Sequence, residues 1–283
     1  WLQWLLTYVI ASISSYLASY LNFPLPWMLG PLLVVALLCV LGFNLQAPVA
    51  GRYTGQWLIG IAIGLTFSPL VVKEIVRDFP FIILVCLGSL LLLSFGTWLL
   101  WRIFKIPMRT AFFCAALGGA SEMTNLADRH HQRADLVAAA HSLRLLIVLC
   151  IVPLLFQIWG TPGDFELNAL NRNFSIQGCG LLLLGSLCGV LFFRFLNLPN
   201  AFLLGPLLVV ALMATCAIEL TLWPKFLSNL AQLLLGTALG VRFTKEFIAH
   251  AKNLAIGTSV YTVICICFSV LFALLIQQLS DLD

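Results

Sequence analysis

Charge is what this sequence has least of. Asp, Glu, Lys and Arg make up 9% of its residues, against about a quarter in ordinary soluble domains, while 61% are hydrophobic. That balance excludes a water-facing surface. A CxxC pair is missing too, and the nine cysteines are odd in number and scattered through apolar stretches, which argues against a disulfide framework and against a zinc site. Cys265 and Cys267 point to different faces of a helix and read as small apolar filler. The net charge of +4 is not concentrated in any recognisable basic module, so direct binding of nucleic acid is not expected. The longest connection, residues 160–175, is too short to hold a folded soluble domain.

What the chain does have is long apolar runs: Phe81 to Trp101, Leu145 to Trp159, Leu181 to Phe195 and Leu254 to Ile276. Most of these approach or exceed the roughly 18 to 20 residues that cross a bilayer as helix. Helices are expected because an isolated span must satisfy its own backbone hydrogen bonds. The amino end starts at Trp1 and reads as trimmed, and residues 1–21 lack a basic n-region and a cleavage site, which predicts a retained span rather than a signal peptide. Helical segments are predicted near 2–21, 27–43, 55–67, 79–101, 109–127, 136–158, 177–195, 201–219, 229–243 and 254–278. Trp98 and Trp101 beside Arg102, Trp159 at a span end, and Trp223 beside Lys225 read as anchors at headgroup depth.

The chain repeats itself. The stretch from Leu21 to Leu37 returns from Leu196 to Leu212 with twelve of seventeen positions identical, and the block from Gln56 to Phe67 returns from Gln232 to Phe243 with six of twelve identical. The organisation this predicts is a first membrane repeat over 1–159, a connecting loop over 160–176 and a second repeat over 177–283. Paired Gly/Pro interruptions in duplicated hydrophobic units are the pattern of secondary transporters with a binding site at the repeat interface. If every segment crosses fully, the fourteen connecting Lys and Arg divide eight against six. If residues 109–127 instead enter and leave on one side, they divide ten against four, which the positive-inside rule prefers. That arrangement makes the repeats inverted and the amino end cytoplasmic. An offset of 176 maps Pro107 onto Asp283, so a second copy of the polar segment after residue 107 is expected beyond Asp283.

Polar chemistry concentrates between Gly118 and Arg144. Gly118 and Gly119 weaken a helix, so Ser121 is expected to cap a new half-helix on which Ser121, Glu122 and Asn125 share a face. Glu122 is the leading candidate for the site. An ionisable group at membrane depth costs about 2.5 to 3.5 kcal/mol on insertion scales, so a carboxylate there has a partner, a proton or a cation. The structural alternative is a charge paired with Arg144. His141 and Arg144, three apart, face the same way, and Arg144 alternatively snorkels to the interface. Asp128, Arg129, His130, His131, Arg133 and Asp135 read as a solvated turn. The histidines lack the compact spacing of a metal site, and neither a metal nor a cofactor is expected.

Gly30-Pro31 and Gly205-Pro206 would break a helix interior and are expected either to open half-helices at mid-membrane or to kink their helices. Gly60-x-x-x-Gly64 and Gly236-x-x-x-Gly240 offer small faces for close helix contact.

In three ordered motifs the chain resembles the AbrB family of bacterial membrane proteins. These are the Leu-Gly-Pro corner at Pro199 to Leu208 and Met28 to Pro31, the Gly-x-x-x-Gly block, and the Gly-Gly-x-Ser-Glu-Met run from Gly118 to Met123. The resemblance covers essentially the whole chain. It implies a multi-pass protein of the bacterial inner membrane. Family members carry labels as regulators of gene expression and, in older usage, as ammonia monooxygenases. A metal monooxygenase needs an organised His or carboxylate set that this sequence lacks. A soluble DNA-binding protein shares the AbrB name, and nothing here resembles its fold.

The expectation is therefore an all-α, polytopic transmembrane helical bundle, built from an internal inverted repeat with broken helices. It would be transporter-like, moving a small anion or organic acid coupled to H⁺ or Na⁺. A membrane-embedded regulator acting through a ligand or partner is the alternative. No enzymatic role and no catalytic residue are assigned. The lipid bilayer and an unidentified small molecule or ion are the partners, and a homo-oligomer is left open.

Overall fold

The protein is described by a computed structural model covering residues 2–159, 175–216, 218, 221–243 and 252–279. Among these residues every regular element is a helix. The helices are α1 (Leu2–Tyr20), α2 (Pro26–Val40), α3 (Val49–Gly64), α4 (Pro69–Arg77), α5 (Phe79–Arg102), α6 (Met108–Ala115), α7 (Ala120–Arg129), α8 (Ala134–Trp159), α9 (Ile176–Phe195), α10 (Ala201–Thr215), α11 (Lys225–Gly240) and α12 (Lys252–Leu279). Four stretches are long and apolar enough to cross a membrane: Phe79–Arg102, Ala134–Ile158, Ile176–Phe195 and Asn253–Ile276. Only 11% of the most apolar stretch of α5, and of α12, is buried inside the protein. In water such helices would expose Leu90, Leu91, Leu271 and their neighbours, so lipid is the medium that covers them.

The helices group into two compact units, α1–α4 with α9–α11, and α5–α8 with α12. These units cut across the division expected at residues 159 and 177, because each draws helices from both sequence copies. The connecting segment 160–174 lies outside the described residues.

In the first unit the glycine motifs set the packing. A Cβ on Gly60 would lie 2.5 Å from the Leu203 carbonyl oxygen, and one on Gly64 2.8 Å from that of Leu207, so α3 runs alongside and parallel to α10. Gly236 meets the Met28 carbonyl and Gly240 the Leu32 carbonyl in the same way, so α11 runs parallel to α2. Between α3 and α11 the order is opposite: Gly51 lies against Leu234 and Gly55 against Ala231. These two helices are antiparallel. The turns before α2 and α10 also match, with positive φ at Asn22 (53°) and Leu25 (46°) and at Asn197 (51°) and Asn200 (50°).

Pro31 and Pro206 do not open half-helices. Each is the sixth residue of an unbroken helix, α2 or α10. A proline there removes one intrahelical hydrogen bond, and the helix tolerates that loss. The preceding glycines serve contact instead. Gly30 lets α2 close on the Ser14 carbonyl of α1, and Gly205 faces Gly189 of α9.

The segment expected at 55–67 is the second half of α3, which bends by 85° into the short helix α4. Ser68 caps α4 by accepting from the Val71 N–H at 3.3 Å, with Pro69 in the first helical position. Leu70 and Val76 are exposed beside the charged Lys73, Glu74 and Arg77.

Candidate functional site

The second unit holds the polar segment, folded as a helical hairpin. Eight residues of α6 and ten of α7 are each far short of the roughly 20 that cross a bilayer. The chain turns between them at Ala116 to Gly119. Thr110, at the start of α6, donates to the Gln132 side-chain oxygen at 3.4 Å, just past the end of α7. Phe113 and His130 stack with ring centroids 6.0 Å apart. The entry of α6 and the exit of α7 therefore lie together.

The hairpin tip is held by α8 and α12. A helix end leaves its last carbonyls without intrahelical partners, and here three side chains supply donors. His141 meets the Phe113 carbonyl at 2.9 Å through Nε2. Arg144 donates to the carbonyls of Ala115 at 3.3 Å and Ala116 at 2.9 Å. The Tyr261 hydroxyl lies 3.2 Å from the Ala115 carbonyl and 3.1 Å from that of Leu92. The guanidinium also sits where the negative end of the α6 dipole favours a cation. Arg144 is ten residues into α8, about 15 Å along its axis, so the tip lies well inside the stretch of this 26-residue helix that is long and apolar enough to cross a membrane.

The expected site residues divide accordingly. His141, 1% exposed, and Arg144 come together with the tip backbone. Arg144 is engaged at that depth rather than snorkelling, and it makes no ion pair with Glu122. Gly119, not Ser121, is the N-cap of α7, with no side-chain cap, because the helix begins at Ala120; the side chain of Ser121 lies outside the described residues. Glu122 is half-buried, three residues from Gly119, and makes no hydrogen bond or ion pair among the described residues. Asn125, one turn further on, is exposed. Met123 and Ala127 instead face the core formed with α8. Gly118 and Gly119 do form the break expected of them. Asp128 to Asp135 are exposed at their charged positions, with Arg133 bridging to Asp135 at 2.7 Å.

Sequence reasoning missed Tyr261. It lies within an apolar run, and its signal is geometric: Gly96 leaves room on α5 for the tyrosine ring, so that its hydroxyl reaches α6.

Four long apolar helices, a bent fifth segment and a polar hairpin define a helical membrane protein. A profile described as "Transition state regulatory protein AbrB" matches residues 27–283, and the chain belongs to the AbrB family. It is similar to "Uncharacterized protein YhjN" of Bacillus subtilis (strain 168), 26% identical over 97% of this chain and 78% of that protein. It is also similar to "Putative regulator AbrB" of Escherichia coli (strain K12), 24% identical over 94% of this chain and 78% of that one. No solved structure matches it.

Proposed function

We propose that this chain is a transporter-type protein of the bacterial inner membrane. The α6–α7 hairpin would carry a small anion or organic acid across in exchange with, or together with, H⁺ or Na⁺. The observation that carries this reading is Glu122, a half-buried carboxylate with no partner among the described residues, three residues from a tip that is held from within the apolar spans of α8 and α12. A carboxylate at that depth is costly unless it meets a proton or a cation. The fixed tip supplies rigidity, and the exposed face of Glu122 and Asn125 supplies ligand chemistry.

The architecture of the first unit supports the same reading. Gly60 with Leu203 and Gly236 with Met28 form matching contacts, as do Gly64 with Leu207 and Gly240 with Leu32, while α3 and α11 run antiparallel. This pairing supports an inverted repeat, the construction that gives a transporter two related states. Arg102, Lys105, Arg109, Arg129 and Arg133 gather by sequence position at the hairpin mouth against Asp128 and Asp135. That excess supports a cytoplasmic mouth and a cytoplasmic amino end. No catalytic group and no cofactor enter the reading, and the bilayer is its one obligatory partner.

Flux is the test. The full protein, reconstituted in proteoliposomes loaded with candidate acids and ions, is expected to take up one of them, and Glu122→Gln to abolish the coupling. A second reading rests on the name of the Escherichia coli relative: a membrane regulator that senses a ligand at this hairpin and acts on expression indirectly. Absence of flux alongside a Glu122-dependent expression phenotype would favour it.

A further inference from the structure

The hairpin mouth carries a second feature, far from Glu122 along α7. An open cavity of about 530 Å³ lies between α5, α6 and the turn after α7, lined by Thr97, Met108, Arg109, Phe112, Phe113, His130 and Gln132. Among these lining residues Arg109 is the fixed cation. It is exposed and makes no hydrogen bond or ion pair among the described residues. The His130 ring is stacked on Phe113 and its nitrogens have no partner there either. Gln132 is already occupied: it accepts from Thr110 and donates to the His130 carbonyl at 2.9 Å, which pins the turn against α6 and fixes the cavity's shape. The rest of the α6 lining is apolar, with Met108 57% and Phe112 45% exposed. A guanidinium and an imidazole thus lie beside side chains suited to hydrocarbon, near the carboxyl end of α5.

We propose that this cavity binds the headgroup of an anionic phospholipid, its phosphate paired with Arg109 and its chains lying along Met108 and Phe112. A phosphate fits because guanidinium offers paired donors in a fixed fork. Basic pockets between helix ends on the cytoplasmic side are where such headgroups lodge. The apolar wall decides for a lipid over a free anion, since inorganic phosphate gains nothing from Phe112. The inference is independent of whether the protein moves a solute.

The experiment uses the full chain in a neutral detergent, with binding measured by native mass spectrometry and by melting temperature. Phosphatidylglycerol, phosphatidylcholine and inorganic phosphate are added separately. Phosphatidylglycerol is expected to bind and raise the melting temperature, and phosphatidylcholine to do neither. Arg109→Gln is expected to weaken phosphatidylglycerol by about tenfold, the scale of one charge-assisted hydrogen bond. Arg109→Lys should fall between, and Lys105→Gln, at the same mouth but outside the cavity, should match wild type. Three results would overturn the proposal. One is equal binding of the two lipids. Another is an equal loss in Lys105→Gln, which would mean a diffuse surface attraction. The third is inorganic phosphate reproducing the Arg109-dependent shift without any preference for phosphatidylglycerol. Arg109 is exposed, so Arg109→Gln should keep its helical circular dichroism, and Arg109→Lys repeats the test should it not.

Discussion

Arg144 donates to Nδ1 of His141 across 2.8 Å, and because a guanidinium has no acceptor, the contact makes His141 the tautomer with its proton on Nε2. That proton then points at the Phe113 carbonyl. One arginine thus orients the histidine and also binds the hairpin tip directly.

Removing the arginine should loosen the whole tip. Arg144→Ala leaves the Ala116 carbonyl and His141 Nδ1 without a donor, each worth about 1–3 kcal/mol when buried. Thermal melting in detergent should fall markedly. Arg144→Lys should recover only part of it, because an ammonium cannot span three acceptors in the guanidinium geometry. Wild-type melting in the lysine variant would contradict this assignment.

The tyrosine contributes less through its hydroxyl than through its fit. Tyr261→Phe removes a donor shared by the Leu92 and Ala115 carbonyls, and its expected cost is about 1 kcal/mol. Gly96→Ala places a Cβ inside van der Waals distance of the same ring. Overpacking of that kind costs about 1–3 kcal/mol, so denaturation in mixed micelles should rank Gly96→Ala as the more damaging of the two.

Most helices were legible because an apolar run near bilayer length permits little else, and the break at Gly118-Gly119 was legible because paired glycines interrupt one. The role of Gly30 and Gly205 was not. A glycine before a proline looks the same whether it opens a half-helix or admits a neighbour, and the neighbours, Ser14 and Gly189, are distant enough in sequence that only the fold reveals them. Helix α4 was missed despite its Ser68-Pro69 start, since nine residues carry too little periodicity. Glu122 stood out as a charge in an apolar chain, and the structural alternative for it, a pairing with Arg144, is not made because that arginine is held by the α6 carbonyls.

The matched glycines should respond alike. Gly60→Ala and Gly236→Ala each drive a methyl group into a backbone carbonyl, of Leu203 and Met28 respectively, and each should cost about 1–3 kcal/mol. A methyl group added to Gly180 on α9 would meet nothing within 4 Å, so Gly180→Ala should be neutral or slightly stabilising, as alanine favours helix. Melting of the three variants checks this, and a large difference between Gly60→Ala and Gly236→Ala would argue against equivalent copies.

An α6–α7 hairpin that enters and leaves the membrane from the cytoplasm exposes both of its ends to that side. Single cysteines at Lys105 and His131, in a background with the nine native cysteines replaced, can be probed with an impermeant maleimide on spheroplasts and on inside-out vesicles. Both positions should label in the inside-out vesicles and stay unlabelled in intact spheroplasts. Labelling of the two positions from opposite faces would mean that residues 109–127 cross the bilayer, and the hairpin with its deep carboxylate would be wrong.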